Sequence, residues 1–361
     1  MLIENIRGKK VDKTDIKSMN LEELEEFLLS IGEKAFRGKQ VFQWIHQKYI
    51  NGFDEMTNIS KDLRQKLEAD TRIYGVKEVE KWVSAIDGTT KYLFELYDGH
   101  IIESVLMKYK HGNSVCISSQ VGCRMGCRFC ASTLDGLTRN LMPSEMLDQI
   151  YAIERTTGER VSNVVIMGTG EPFDNYENVL RFLELITHKE GKNLSQRGIT
   201  VSTCGLVPRI REFAELETAV NLAISLHAPN DDMRKELMPI ANRYSIEQIM
   251  EACKYYIMKT NRRVTFEYSL VANVNDRKEH AQMLSGLLSG VLCHVNLIPV
   301  NPIEERNYRQ STQQSIQNFK NLLEKNRINV TIRREMGRDI DGACGQLRKS
   351  YLDQEKGEHE C

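Results

Sequence analysis

The run Gly122-Cys123-Arg124-Met125-Gly126-Cys127-Arg128-Phe129-Cys130-Ala131 places three cysteines in the spacing C-x3-C-x2-C within one short loop. Three thiols so close together point to a metal centre. A structural zinc site closes its tetrahedron with four protein ligands, typically as two C-x2-C or H-x3-H pairs, and the chain offers no second pair. A [4Fe–4S] cube normally takes four cysteines, so three leave one iron open to an outside ligand, a device for chemistry rather than for holding a fold. The plain alternative is three buried thiols packing as small apolar residues. Three in one loop flanked by Gly122 and Gly126 argue against it.

Around this loop, apolar strand-like runs at 114–118, 161–167, 199–202, 220–226, 263–271 and 294–299 alternate with helical patterns at 143–156, 175–187, 207–216, 245–259 and 277–288. Strand followed by helix, repeated, implies parallel strands joined by crossovers. Six such units predict an α/β chain with an open, partial (β/α)6 barrel, a fold that carries its chemistry on loops after the carboxyl ends of its strands. Polar clusters lie there: Gly168-Thr169-Gly170-Glu171-Pro172, Ser202-Thr203-Cys204-Gly205, Ser225-Leu226-His227-Ala228-Pro229, and Asn301 after the sixth strand. The first is no dinucleotide fingerprint, because Phe173 stands where a third glycine belongs. Glu171 has the chemistry to accept from an ammonium group.

Ahead of the barrel, Asn20 and Glu23 form a capping-box signature before Leu24, Phe27, Leu28 and Ile31, and Gly32 ends that helix. The segment 33–50 carries Val41, Trp44, Ile45 and Tyr49 at helical spacing, with Lys34, Arg37, Lys39, His46 and Lys48 on and before the other side. Ser60 caps a third helix through Leu63 and Leu67. On the residues alone, a solvated helix face is the preferred reading of these basic residues over contact with RNA. From 81 to 108, Asp87-Gly88 and Asp98-Gly99 mark a three-strand meander, in which a lone Glu103 is expected to face solvent. The domain reading is 1–78 helical, 79–110 β-meander linker, 111–350 barrel, and 351–361 a disordered polar tail.

The chain has 361 residues, 41% of them hydrophobic, and 49 Lys+Arg against 50 Asp+Glu, so overall charge makes no case for nucleic acid. No apolar run reaches the ~18 residues of a membrane span, and the start lacks a secretory apolar segment. A cytoplasmic chain is expected, in which nine cysteines serve as ligands, nucleophiles or core rather than as a disulfide framework. Cys344 stands in a glycine-rich polar loop, an odd place for packing, and is a candidate reactive thiol; Cys116 lies seven residues before the first candidate ligand.

The cysteine loop with Phe129 resembles the signature of the radical S-adenosylmethionine (SAM) superfamily. The order of Cys116 through Cys123, the cysteine loop, Gly168 through Pro172, Ser225 through Pro229, and Asp339 through Leu347 resembles the dual-specificity RNA adenine-C2 methyltransferases over 21–347. That resemblance implies methylation of carbon 2 of adenine 2503 in 23S rRNA and of adenine 37 in tRNAs, with the basic N-terminal helices contacting RNA. It implies a [4Fe–4S] cluster on Cys123, Cys127 and Cys130, and two SAM per turnover bound by Gly170, Glu171, Ser202, Ser225, Leu226, His227 and Asn301. It also implies that Cys344 carries a methyl, that Cys116 resolves the protein–RNA adduct by disulfide formation, and that Glu103 accepts a proton. The expected partners are 23S rRNA, tRNA and a low-potential electron donor such as flavodoxin or ferredoxin, and a monomer is expected. Thr169, Cys204 and Gly342 depart from residues common in that family. A sister group using the same cysteines methylates C8, and a non-catalytic metal-stabilised RNA-binding module is the alternative outside enzymes.

Overall fold

The computed structural model describes residues 13–301 and 307–340; Cys344 and the tail expected to be disordered lie outside them. Asn20 and Glu23 exchange their capping hydrogen bonds at the start of α1 (Leu21–Ser30), and Gly32 follows its end with φ +80°. The second helix is shorter than its pattern: α2 is Phe36–His46, and Tyr49 lies beyond it at φ +56°. Ser60 caps α3 (Lys61–Asp70), after which a short parallel pair, β1 (Thr14–Asp15) with β2 (Thr71–Arg72), closes the helical module.

The meander is present as β3 (Lys77–Val83), β4 (Thr90–Glu95) and β5 (Ile101–Tyr109). Both Asp-Gly pairs sit in the reversals, with Gly88 and Gly99 at φ +71° and +83°, though the loops are longer than two residues. The strand β5 pairs antiparallel with β6 (Gly112–Ile117), so the meander extends the barrel sheet itself. A separate ribbon, β7 (Gln120–Gly122) with β8 (Leu137–Asn140), brackets the cysteine loop. Parallel strands then add in order to β6: β9 (Val161–Ile166), β10 (Ile199–Thr203), β11 (Asn221–Ser225), β12 (Val264–Leu270), β13 (Cys293–Pro299) and β14 (Asn329–Ile332). The crossovers carry α4 (Pro143–Thr157), α5 (Tyr176–Thr187), α6 (Val207–Glu215), α7 (Asp231–Leu237), α8 (Ile246–Thr260), α9 (Lys278–Leu287) and α10 (Gln313–Lys325).

The six expected units are therefore joined by a seventh, α10 and β14. Alternate and adjacent residues such as Val164, Ile166, Leu222, Ala223 and Ile224 are all buried, as in parallel strands covered on both faces. Only Val330 of β14 is buried, which left that strand without an apolar run to read. Among the described residues no helix is long and apolar enough to cross a membrane.

A buried charge cluster joins the helical module to the barrel. Asp148 on α4 accepts from Lys17 Nζ at 2.8 Å, from Arg155 at 3.0 and 3.2 Å, and from the N–H of Val76 at 2.7 Å, with Lys17 and Asp148 wholly buried. Burial raises the Asp148 carboxyl, but Lys17 and then Arg155 outweigh it and hold it below its ordinary value. His46, expected among the surface cations, is instead buried: Nδ1 meets Tyr151 Oη at 3.0 Å, and burial, then Lys17, pushes its pKa down to about 3. The aromatic face of α2 pulls it inward against Tyr151.

Removing one partner of a buried pair strands the other, so Asp148→Ala should cost about 3–5 kcal/mol of stability, measured by denaturant unfolding. A pH series should show a separate effect. The unfolded chain protonates His46 near its ordinary 6.5 while the folded one refuses the proton. Stability should therefore fall below pH 6.5, and fall again when acid reaches Asp148, whose depressed pKa keeps its contribution intact above the ordinary carboxylate range.

Candidate active site at the carboxyl end of the barrel

The cysteine loop is built where backbone must pass backbone. Gly122 stands at φ +75°, and a Cβ there would lie 2.0 Å from the carbonyl oxygen of Gly136. That same carbonyl accepts the N–H of Cys123 at 2.8 Å. Gly126, at φ +71°, faces Pro239, and the N–H of Arg128 donates to Leu237 O at 2.9 Å, tying the loop to the end of α7. Thr133 Oγ1 donates to the carbonyls of Cys127 and Cys130. Cys123 and Cys127 are buried and Cys130 partly so.

Burial, then the neighbouring Cys130 sulfur, pushes the Cys123 thiol up to about 12; the same two causes hold Cys127 well above its ordinary value. The three sulfurs thus lie within electrostatic reach of one another in a largely buried setting, which favours thiolate only when a cationic centre is present. Among the described residues, no three His, Cys, Asp or Glu side chains converge as ligands of one ion.

The loop after β9 lies against the segment after β6 with no room for side chains. A Cβ on Gly168 would sit 2.7 Å from Ile117 O, and one on Gly170 (φ +114°) would sit 2.7 Å from Gln120 Cβ. Thr169 O accepts from the N–H groups of Ser119 and Gln120 at 2.9 and 3.1 Å, and Gln120 Oε1 accepts the N–H of Glu171 at 2.8 Å. Glu171 itself turns inward. Its Oε1 accepts from Phe173 N–H at 2.9 Å and its Oε2 from Cys204 N–H at 2.7 Å, while burial raises its pKa. Both carboxylate oxygens are thus engaged by backbone, binding the β9 loop to the β10 loop.

At the end of β11, His227 adopts φ +56° and its Nδ1 accepts the N–H of Ser269 at 2.9 Å. Burial, then Arg234, pushes its pKa down to about 3, so the ring is neutral, with its proton on Nε2. Phe129 of the cysteine loop meets the His227 ring edge-on, centroids 4.6 Å apart. Ser202 and Leu226 are buried and Ser225 partly so, while Asn301 is exposed after β13. The barrel thus brings the cysteine loop, Gly170, Glu171, Ser202, Ser225, Leu226 and His227 to one end, with Asn301 on the loop after β13.

Register places Cys116 opposite Val105, and Val105 opposite Lys91. Glu103, two residues from Val105, shares that sheet face; it is a diagonal neighbour of Cys116, the relation that puts Cα atoms roughly 7–8 Å apart. Contrary to the expectation that it faces solvent, Glu103 is buried, its Oε1 3.7 Å from Lys91 Nζ, because β5 is covered on both sides as an interior strand.

Three further charged residues carried no signal in the sequence. Lys91 reads as one more strand lysine, yet it is fully buried. Arg234 on α7 is also fully buried and donates to the carbonyls of Cys204, Ser225 and Leu226, pinning the ends of β10 and β11; burial lowers its pKa. Glu267 on β12 accepts from Asn296 Nδ2 at 2.9 Å; burial raises its pKa, against the pull of Arg333. Polar residues inside strands and short helices become visible only when topology closes around them.

Residues 14–73 match the family model for the ribosomal RNA large subunit methyltransferase N-terminal domain, and residues 117–284 match the radical SAM superfamily. A protein of Lachnoclostridium phytofermentans named "Probable dual-specificity RNA methyltransferase RlmN" is 62% identical over 95% of this chain and 96% of its own. One of Lachnospira eligens with the same name is 62% identical over 94% and 97%. The crystal structure of a radical SAM methyltransferase from Sphaerobacter thermophilus superposes with a TM-score of 0.88 at 43% identity, covering 92% of this chain and 98% of that one. With such similarity running through both halves and nearly end to end, the chain belongs to the RlmN family of dual-specificity RNA methyltransferases within the radical SAM superfamily.

Proposed function

We propose that the enzyme methylates carbon 2 of adenine 2503 in 23S rRNA and of adenine 37 in tRNA, with Cys344 carrying the methyl and Cys116 releasing the product. The observation that supports this most is the shared sheet face of Glu103 and Cys116 beside the barrel's carboxyl end. Adenine C2 is an electron-poor amidine carbon that cannot attack a sulfonium methyl, so a polar displacement must stop at sulfur. Cys344 takes that methyl. Cys123, Cys127 and Cys130 would hold a cluster, whose chemistry would be reductive cleavage of a second SAM to give the radical that takes one hydrogen from the methyl on Cys344.

The chain's own residues do the rest. Gly170, Glu171, Ser202, Ser225, Leu226, His227 and Asn301 form the SAM pocket; in it His227 offers Nε2–H as a fixed neutral donor, and Glu171 keeps two loops in register. Once the Cys344 methylene radical has added to C2, Glu103 accepts the proton that C2 gives up and the one unpaired electron left on the adduct returns to the low-potential donor couple, so that a closed-shell adduct remains. Cys116 then attacks the Cys344 sulfur, the disulfide forming as the sulfur–methylene bond breaks, and protonation completes the new methyl.

The N-terminal helices present Lys34, Lys39, Lys48 and the half-exposed Phe36, which lies under Arg37 at 5.0 Å. Such a pairing of cation and aromatic suits a phosphate backbone with unstacked bases. His46 takes no part in that surface. The enzyme works as a cytoplasmic monomer fed by a low-potential donor such as flavodoxin or ferredoxin.

Iron and sulfide analysis of anaerobically prepared protein should find one four-iron cluster, absent when Cys123, Cys127 and Cys130 are all changed to Ala. A triple variant with full iron content contradicts the ligand assignment. Under turnover, Cys116→Ala should trap RNA covalently, seen as a shift on a denaturing gel, with the crosslink mapping to Cys344. Cys344→Ala should neither trap nor methylate RNA while keeping its iron. A Cys116→Ala enzyme that turns over normally overturns the release step.

A further inference from the structure

Residues 74–116 lie between the two family-matched stretches and belong to neither. The turn from β4 to β5 in this segment joins a row of two tyrosines flanked by two arginines. The guanidinium of Arg72, the last residue of β2, lies over the Tyr74 ring at 5.5 Å; Tyr74 meets Tyr97 with ring centroids 4.6 Å apart; and Arg139 of β8 lies over Tyr97 at 5.2 Å. The row thus starts at the end of the helical module, crosses the meander and finishes on the ribbon that brackets the cysteine loop. Its end of the barrel follows from strand direction. The strand β6 runs out toward the cysteine loop, β5 is antiparallel to β6 and β4 antiparallel to β5, so the turn at 96–100 stands at the carboxyl end, with the site. Tyr97 follows Leu93, the cross-strand partner of Glu103, by four residues, at most about 14 Å of chain.

One end of the row is fixed and the other is open. Arg139 donates from Nε to Asp98 at 2.6 Å and from both terminal nitrogens to the Glu145 carboxylate at 2.8 Å, which locks its plane and meets its charge. Arg72 is exposed, its guanidinium engaged only by the Tyr74 ring among the described residues. The two rings are tilted by 53° rather than stacked face to face, and Tyr97 keeps 53% of its surface exposed. The acids of the strip already face cations, Asp98 facing Arg139 and Glu95 facing Lys77 at 2.9 Å, so a phosphate meets little repulsion there. Rigid aromatic and guanidinium planes with open surface are what an unpaired base stacks on, and a free arginine beside them suits its phosphate. An RNA strand held by the helical module and reaching the cysteine loop has this row between the two.

We propose that Tyr97, backed by Tyr74 and Arg139, is a stacking platform for an unpaired base of the RNA substrate near the target adenine, with Arg72 taking a phosphate of the same strand. This rests on the reading of RNA as the substrate. Every base has a π-face, so the platform selects single-stranded over paired RNA rather than one sequence over another. Tyr97 is a positioning residue: it holds the strand and touches no reacting atom.

The test is the affinity of the iron-loaded enzyme for an rRNA fragment whose target adenine lies in a single-stranded loop, read by fluorescence anisotropy over a salt series. At unchanged iron content, Tyr97→Ala should weaken binding about 5- to 150-fold, the range for losing one stacked base, and leave the slope of log affinity against log salt unchanged. Tyr97→Phe, which keeps the ring, should bind like the unmodified enzyme. Arg72→Ala should weaken binding and also reduce the slope by about 0.7, the share of one phosphate on a single strand. Abasic sites walked along the loop should include one that weakens binding to the unmodified enzyme but adds nothing to the loss in Tyr97→Ala. Equal affinity of Tyr97→Ala and the unmodified enzyme overturns the platform, as does a scan with no such abasic site. If Tyr97→Ala keeps its affinity and loses a dimer seen by light scattering, the row faces a second copy of the chain and the proposal fails. The same preparation, given SAM and a low-potential reductant, separates the two readings. If the unmodified enzyme makes 2-methyladenosine while Tyr97→Ala binds normally, only the platform fails; if the unmodified enzyme neither binds nor methylates the fragment, the RNA-substrate reading fails and the platform with it.

Discussion

The site depends on one close backbone approach, that of residues 117–122 to residues 168–171. Gly168 packs on Ile117 O and Gly170 on Gln120, with Thr169 O bridging two amides, and no side chain fits between them. The first strand's exit is thereby fixed against the second strand's loop, and everything beyond inherits that position. The cysteine loop starts at Gly122, Glu171 reaches from the same contact to Cys204, and Asn175 Nδ2 ties Ser119 O to Leu141 O. Glycine is needed here because the contact leaves no space for a Cβ, and at Gly122 and Gly170 because φ is positive as well.

Around that contact the barrel buries charge. Glu171, Arg234, Glu267, Lys91 and Glu103 all lie inside, where an unpaired charge is expensive. Each is met by a partner the fold supplies: backbone amides for Glu171, strand-end carbonyls for Arg234, Asn296 for Glu267, and one another for Lys91 and Glu103. Clusters of this kind at strand ends are more often functional than stabilising, since apolar residues fill a core at lower cost. His227 belongs with them as the neutral member, kept from protonation first by burial.

Much of this was legible in the chain because short-range rules decided it. The Asn20–Glu23 cap, the Asp-Gly reversals and the six apolar runs each announce their element through a local pattern, and five crossover helices start and stop within a few residues of their periodicity. The cysteine spacing marks its loop as a candidate metal site through local pattern alone. What stayed hidden was decided at long range. His46 looks like a surface cation until Tyr151 and Lys17 close over it, Glu103 looks exposed until β4 and β6 flank it, and β14 has too few buried residues to show an apolar run. The inward turn of Glu171 depends on Cys204, 33 residues away, and no spacing rule encodes that.

The claim on which the whole account turns is that these residues deliver a methyl to carbon 2 of adenine. Nucleosides from rRNA incubated with the iron-loaded enzyme, SAM and a low-potential reductant, separated and weighed by mass spectrometry, test it directly. The expected product is 2-methyladenosine. Finding 8-methyladenosine in its place, or unmodified RNA from enzyme that carries its cluster, would contradict it.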